Sequence, residues 1–164
     1  MTLRKIISGG QTGADQGGLR AGRALGLETG GWAPPGWRTL DGPAPWLADY
    51  GLVESTQSGV GNYAARTRLN VRDSDATVRF ARDFHSPGER CTLRAIDKHA
   101  KPHLNVTEWD LLAPPEFGTY KFRVFIQQFD VGVLNVAGNS EQRAPGIAAA
   151  VERFLVFALR AGVR

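Results

Sequence analysis

The chain alternates short apolar runs with amphipathic helical patterns, and this alternation limits its fold more than any other feature. Residues 3–8 read as a buried strand. Residues 14–26 read as a helix that carries Gly18, Gly22 and Leu25 on one face and stops at Gly26. Two helical glycines cost roughly 1 kcal/mol each relative to Ala, and their spacing of four lets another element approach closely. Gly30–Ala33 is a weaker strand, and residues 34–47, with four prolines and two glycines, read as loop. A helix follows over 61–72, then a strand at Ala76–Phe80 with Ala76, Val78 and Phe80 on one face. Ser86-Pro87-Gly88-Glu89 is a helix start: Ser86 caps, Pro87 sits first and Glu89 returns to the cap. That helix runs to about Ala100 and is stopped by Pro102. A short strand at 103–107, a helix at 116–129, a strand at Val131–Ala137 and a helix opened by Pro145 complete the chain. This order predicts an α/β protein, a doubly wound parallel sheet with helices on both faces. Such sheets bind ligands at the carboxyl ends of their strands.

At 164 residues the chain suits a single domain. With 42% apolar and 22% charged residues, wholesale disorder is excluded. No apolar run reaches 18 residues, because Glu152 and Arg153 interrupt the best attempt at 144–159, so no membrane span is expected. The N-terminus shows no signal peptide. The single Cys91 allows no intrachain disulfide and fits a reducing cytoplasm. The net charge is +4, and 16 of the 20 basic residues are Arg. They are dispersed along the chain, which argues against a nucleic-acid partner despite a pI of 9.6. Arg forks also suit phosphates and oxyanions.

Three glycine-bearing strand exits fall on the carboxyl rim. Gly9-Gly10-Gln11-Thr12-Gly13-Ala14-Asp15 joins the first strand to the first helix, where amides and the helix dipole hold anions. It is neither a Walker A loop nor G-x-G-x-x-G. The same segment reads as a plain capped turn, since Thr12-x-x-Asp15 resembles a capping box. Ser86-Pro87-Gly88-Glu89 is the second exit, and Gly138-Asn139-Ser140 the third. Tyr63, Arg66 and Asn70 share one face of the helix over 61–72, either a ligand contact or a solvated surface. Asp73 and Asp75 make a turn rather than a metal pair, the three histidines lack zinc spacing, and no metal is expected.

Several segments resemble the molybdenum carrier proteins. They are Ile6 through Asp15, Gly30-Gly31-Trp32-Ala33-Pro34-Pro35-Gly36, Arg66-Thr67 with Asn70-Val71 and Asp73 through Thr77, and Leu134 through Gly138. The resemblance spans nearly the whole chain. It implies a Rossmann-like fold related to molybdenum-cofactor carriers and to the lysine-decarboxylase-like phosphoribohydrolases, a broad group that binds nucleotide-like or other phosphate-bearing ligands. The chain departs from the pattern in two places. Around the second motif it keeps only Arg38, with Pro35 and Trp37 where basic residues are expected. After the strand at 76–80 it has Ser86-Pro87-Gly88-Glu89 instead of a Gly-Gly-Thr loop, and Glu89 repels an anion there unless it turns back to its cap. The Gly-Gly-x-Gly-Thr-x-x-Glu pattern of the phosphoribohydrolases is absent.

Together these readings predict a binding or carrier protein for a phosphate- or oxyanion-bearing small molecule, the molybdenum cofactor or a nucleotide-like ligand. The alternative is a nucleotide- or nucleoside-processing hydrolase. Gly9, Gly10, Gln11, Thr12 and Gly13 are expected to offer amides, a side-chain amide or a hydroxyl, and Arg38 and Arg66 charge. Asp15, Asn70, Ser86, Gly88, Gly138 and Asn139 complete the expected site, and Asp75 is expected either to hold a ribose hydroxyl or to orient a loop. A homo-oligomer through the last helix is expected as well, because Val156 and Phe157 point away from its core stripe.

Overall fold

The computed structural model describes residues 3–56 and 62–160. In chain order the elements are β1 (Lys5–Ile7), α1 (Ala14–Ala24), β2 (Glu28–Ala33), the small hairpin β3 (Arg38–Thr39) and β4 (Gly42–Pro43), and β5 (Leu52–Glu54). Then come α2 (Asn62–Arg72), β6 (Ala76–Phe80), α3 (Pro87–His99), β7 (His103–Val106), α4 (Glu108–Leu112), α5 (Pro115–Gly118), α6 (Tyr120–Gln128), β8 (Val133–Gly138) and α7 (Ile147–Arg160). Among the described residues six strands form one parallel sheet in the order β5-β2-β1-β8-β6-β7. This is the expected doubly wound, Rossmann-like α/β architecture. The chain leaves β1 towards β2 on one side and β6 towards β7 on the other, so the connections diverge over β8 and open a crevice there.

One face of the sheet is covered by α1 and α7, with α6 beside them, and the other by α2 and α3. The first core holds Ile6, Val78, Phe80, Leu134 and Val136 of the strands against Phe122, Val151, Phe154 and Leu155. Phe80 and Phe154 meet edge to face at 5.3 Å, and Phe122 and Phe154 at 5.7 Å. The glycines of α1 set how close this layer comes. A Cβ on Gly18 would lie 2.7 Å from the Val136 Cβ, one on Gly22 2.7 Å from the Thr29 methyl, and one on Gly17 would strike the Ala148 carbonyl of α7. The close approach expected of Gly18 and Gly22 is thus made by the sheet, and Gly17 makes room for a helix.

The elements differ from expectation in three places. The stretch expected as loop over 34–47 holds one 3-10 turn, Pro35–Trp37, and the start of another, Pro45–Tyr50, around the small hairpin. They bury Ala44 and Leu47 against Leu19, Ala33 and Leu52 in a second core. The strand β5 was not anticipated, because it has three residues and Val53 faces outward. The helix expected over 116–129 breaks after Gly118, which sits against the Asp110 carbonyl, and a separate turn, α4, precedes it. Of the helix expected over 61–72, residue 61 lies outside the described residues. Val156 is half-buried and packs on the first core, and Phe157 is half-buried too. The most exposed large apolar side chains are instead Trp109, Leu112, Phe117 and Tyr120 on α4 to α6. No helix among the described residues is long and apolar enough to cross a membrane.

Candidate functional site

A cleft of about 560 Å³ opens at the carboxyl edge of the sheet. Its walls come from the β1–α1 loop, the face of α2 bearing Tyr63, Arg66, Thr67 and Asn70, the first two turns of α3, and the exit of β8.

The β1–α1 loop is largely bonded to its own chain. Asp15, in the first turn of α1, folds its carboxylate back under the loop, where Oδ2 accepts from the Gln11 amide at 3.2 Å and from Arg66 Nη1 at 2.9 Å. Burial pushes the Asp15 carboxyl up, and Arg66 and the amides of Gln11 and Gly9 pull it back. The Gly10 amide donates to Ser8 Oγ, the Thr12 amide to Gln11 Oε1, and the Ala14 amide to the Asn139 carbonyl. Thr12 does not cap α1; its hydroxyl donates to Gln142 Oε1 at 2.6 Å, and Gly13 occupies the cap position without a side-chain bond. The amides of the expected cradle are therefore spent within the chain, on Asp15, Ser8 Oγ, Gln11 Oε1 and the Asn139 carbonyl. Gly10 and Gly13 serve chain crossings. Both have positive φ, 75° and 87°; a Cβ on Gly13 would collide with the Asn139 carbonyl, and one on Gly10 would lie 2.6 Å from Leu47 Cδ1. Gly9, Gln11 and Asp15 line the cleft, whereas Gly10, Thr12 and Gly13 do not. Gly9 leaves the space into which the Arg66 guanidinium folds.

Two asparagines of the expected site line the cleft with their side-chain bonds already made. Asn70 accepts from the Trp32 amide at 2.9 Å and donates to its carbonyl at 3.1 Å, so it ties α2 to β2. Asn139 accepts from the amides of Arg82 and Asp83 and donates to the Asp83 carbonyl, which fixes the turn after β6. Gly138, also lining the cleft, has φ of 149° and lets β8 cross the Phe80 carbonyl. Two expected residues lie elsewhere. Asp75 precedes β6 at the amino edge of the sheet, where Oδ2 accepts from the amides of Gly132 and Val133, so it orients a loop. Arg38 is exposed in the small hairpin and does not line the cleft.

The start of α3 keeps half of its expected capping. Ser86 Oγ accepts from the Glu89 amide at 3.3 Å. The Glu89 side chain does not return to the cap. It lies 2% exposed with Oε2 3.6 Å from Arg79 Nη1, too far for a hydrogen bond, and Oε2 has no hydrogen-bond partner. Arg79 donates from Nη1 to the Glu89 carbonyl at 3.1 Å and from Nε to Asn105 Oδ1 at 3.0 Å. Burial pushes the Glu89 carboxyl from the usual 4.5 up to about 7; Arg79 opposes this, and the charges of Asp15 and Asp83 add to it. Ser86 and Gly88 line the cleft beside it, and nothing lies within 4 Å of the Cβ position at Gly88.

Glu89 lines the cleft at the exit the sequence singled out; Arg94 and Arg143 line it too, and sequence reasoning did not place them there. Gly88, Cys91 and Arg94 recur every three residues from the helix start, a signal that would have found Arg94. Arg143, in the loop after β8, carries no such signal; it pairs with Asp83 at 3.2 Å on the exposed rim. The cleft is electrically divided. Asp15, Glu89 and Arg66 lie deep in it, Asp15 and Arg66 as an ion pair, and Arg94 and Arg143 are exposed at its rim.

A parallel α/β sheet with a cleft where its connections diverge defines a Rossmann-like protein. Its family is specific: a model of the circularly permuted YpsA SLOG family matches residues 6–159, and the chain belongs to that family. The fold superposes with a TM-score of 0.86 on the crystal structure of a "Putative molybdenum carrier protein" from Syntrophus aciditrophicus SB. The two are 31% identical, and the match covers 96% of each chain. No curated protein matches the chain.

Proposed function

We propose that this protein binds a phosphate-bearing small molecule in the cleft at the carboxyl edge of its sheet, as a binding or carrier protein. The observation that carries this reading is the convergence of Arg66, Arg94 and Arg143 on a cleft of about 560 Å³, the size range of small-molecule sites. The molybdenum cofactor and nucleotide-like ligands both present a phosphate to such a rim. The name of the structural neighbour favours the first; the resemblance to nucleotide-binding relatives favours the second. Calorimetry with nucleoside monophosphates, a pterin phosphate and molybdate tests the reading. Saturable one-to-one binding, weakened about ten-fold by Arg94→Ala, supports it. No binding by any of the panel refutes it.

One observation favours the second reading, a nucleotide- or nucleoside-processing hydrolase. Glu89 puts a carboxyl with a pKa of about 7 on the cleft floor, a value suited to proton transfer. Release of free base from nucleoside monophosphates at several turnovers per second would establish it. Its absence, with binding intact, leaves the carrier reading.

A further inference from the structure

The Glu89 carboxylate is a buried hydrogen-bond acceptor built into a binding cleft and left without a donor. Its Oε2 has no hydrogen-bond partner, and its neighbours leave it so. Arg79 lies 3.6 Å away with its own bonds directed to the Glu89 carbonyl and to Asn105. Ser86 Oγ accepts from the Glu89 amide and makes no bond to Oε2. The carboxylates of Asp15 and Asp83 face Glu89 from α1 and from the turn after β6, and both disfavour a further negative charge. A bare oxyanion is thus repelled from the floor of this cleft. Its place is the rim, where Arg94 and Arg143 are exposed, while Arg66 lies deeper and spends Nη1 on Asp15. A cleft of about 560 Å³ also leaves most of its volume empty around a lone phosphate.

Resting on the proposed binding function, we infer that the ligand is a phosphate monoester whose organic part carries a hydroxyl or amino donor that bonds Glu89. The phosphate sits on the arginine rim, and the donor group reaches down to the carboxyl oxygen that Arg79 faces at 3.6 Å without a hydrogen bond. A sugar hydroxyl and the amino group of a heterocycle share this chemistry. A bare oxyanion such as molybdate lacks a body that spans rim and floor.

Calorimetry with four probes tests the inference: inorganic phosphate, molybdate, ribose 5-phosphate and adenosine 5′-monophosphate. Above pH 7, where Glu89 is ionised, at least the nucleotide binds the unaltered protein about ten-fold more tightly than inorganic phosphate does, the gain of one hydrogen bond to a charged group. Glu89→Met, which removes the acceptor, abolishes that advantage, so that the esters bind this variant no more tightly than inorganic phosphate does. Glu89→Gln, which keeps a neutral acceptor and the shape, loses part of the advantage and serves if the Met variant fails to fold. Ribose 5-phosphate binding as well as the nucleotide assigns the donor to the sugar; the nucleotide alone binding tightly assigns it to the base. Phosphate or molybdate binding as tightly as the esters, or ester binding indifferent to both Glu89 variants, overturns the inference and leaves the binding function standing. No binding by any probe overturns both.

Discussion

The β1–α1 and β6–α3 turns both line the cleft, and each carries a glycine and an acid in or before the first turn of its helix, yet the two acids end in opposite states. In the β1–α1 loop, Asp15 lies under glycine-rich backbone and collects the Gln11 amide and Arg66. In the β6–α3 turn, Glu89 lies under Ser86-Pro87-Gly88 and collects nothing on Oε2. Both acids stand in the first turn of their helix, and both are buried. The difference comes from the neighbouring helix and strand. Arg66 on α2 reaches Asp15 at 2.9 Å, whereas Arg79 on β6 is held back from Glu89 by its bonds to Asn105 and to the Glu89 carbonyl. A satisfied carboxylate braces a loop. An unsatisfied one, in a cleft, is a group waiting for a partner, because a buried polar atom without a bond costs ~1–3 kcal/mol.

The largest test of this contrast is Arg66→Ala. It leaves the Asp15 carboxylate buried without its cation, and the expected loss is ~3–5 kcal/mol of unfolding free energy, read by urea denaturation. Adding Asp15→Asn should recover part of that loss. A loss below about 1 kcal/mol would show that the loop does not depend on the pair.

Glu89→Gln should do the reverse. The folded protein holds the Glu89 proton up to about 7, against 4.5 for an ordinary glutamate. Its contribution to stability is therefore complete below pH 4.5 and lost as the pH rises to about 7. The neutral variant escapes this loss, so its stability relative to the parent should climb across that window by up to ~3 kcal/mol and then level off. Melting temperatures of the two proteins at matched pH provide the check. Parallel curves would mean that Glu89 is ionised throughout.

How much of this contrast was legible in the sequence depended on whether a feature was periodic or local. The sheet and its helices were legible because Ala76, Val78 and Phe80, or Ile147, Val151 and Phe154, repeat with the period of their element. The α2 face with Arg66 was legible for the same reason. The direction of the Glu89 side chain was not. Ser86-Pro87-Gly88-Glu89 reads as a closed local capping unit, yet the side chain turns instead towards Arg79 on β6, the strand beneath α3. The Thr12 and Asp15 pair misled in the same way: Thr12 bonds Gln142, far along the chain, and Asp15 bonds Arg66. Asp75 reads equally well as a ribose ligand or a loop anchor until its place at the amino edge decides for the anchor.

A smaller effect tests the expected oligomer. Phe157 on α7 is half-buried, so Phe157→Asp should cost about 1–2 kcal/mol in the single chain. Light scattering separates that cost from assembly. Loss of an oligomer by the folded variant places the last helix in the interface. An oligomer that survives places the interface elsewhere, and a monomeric parent at tens of micromolar removes the proposal.

The central claim is that the arginine rim of the cleft holds a phosphate. Its most direct test is calorimetric titration of adenosine 5′-monophosphate into the parent and into the double variant Arg94→Ala, Arg143→Ala. Both positions are exposed, so the fold should survive the change. The account predicts one saturable site in the parent and at least about a hundred-fold weaker binding in the double variant, with an unchanged melting temperature. Equal affinity in the two proteins, or no binding in the parent, would contradict it.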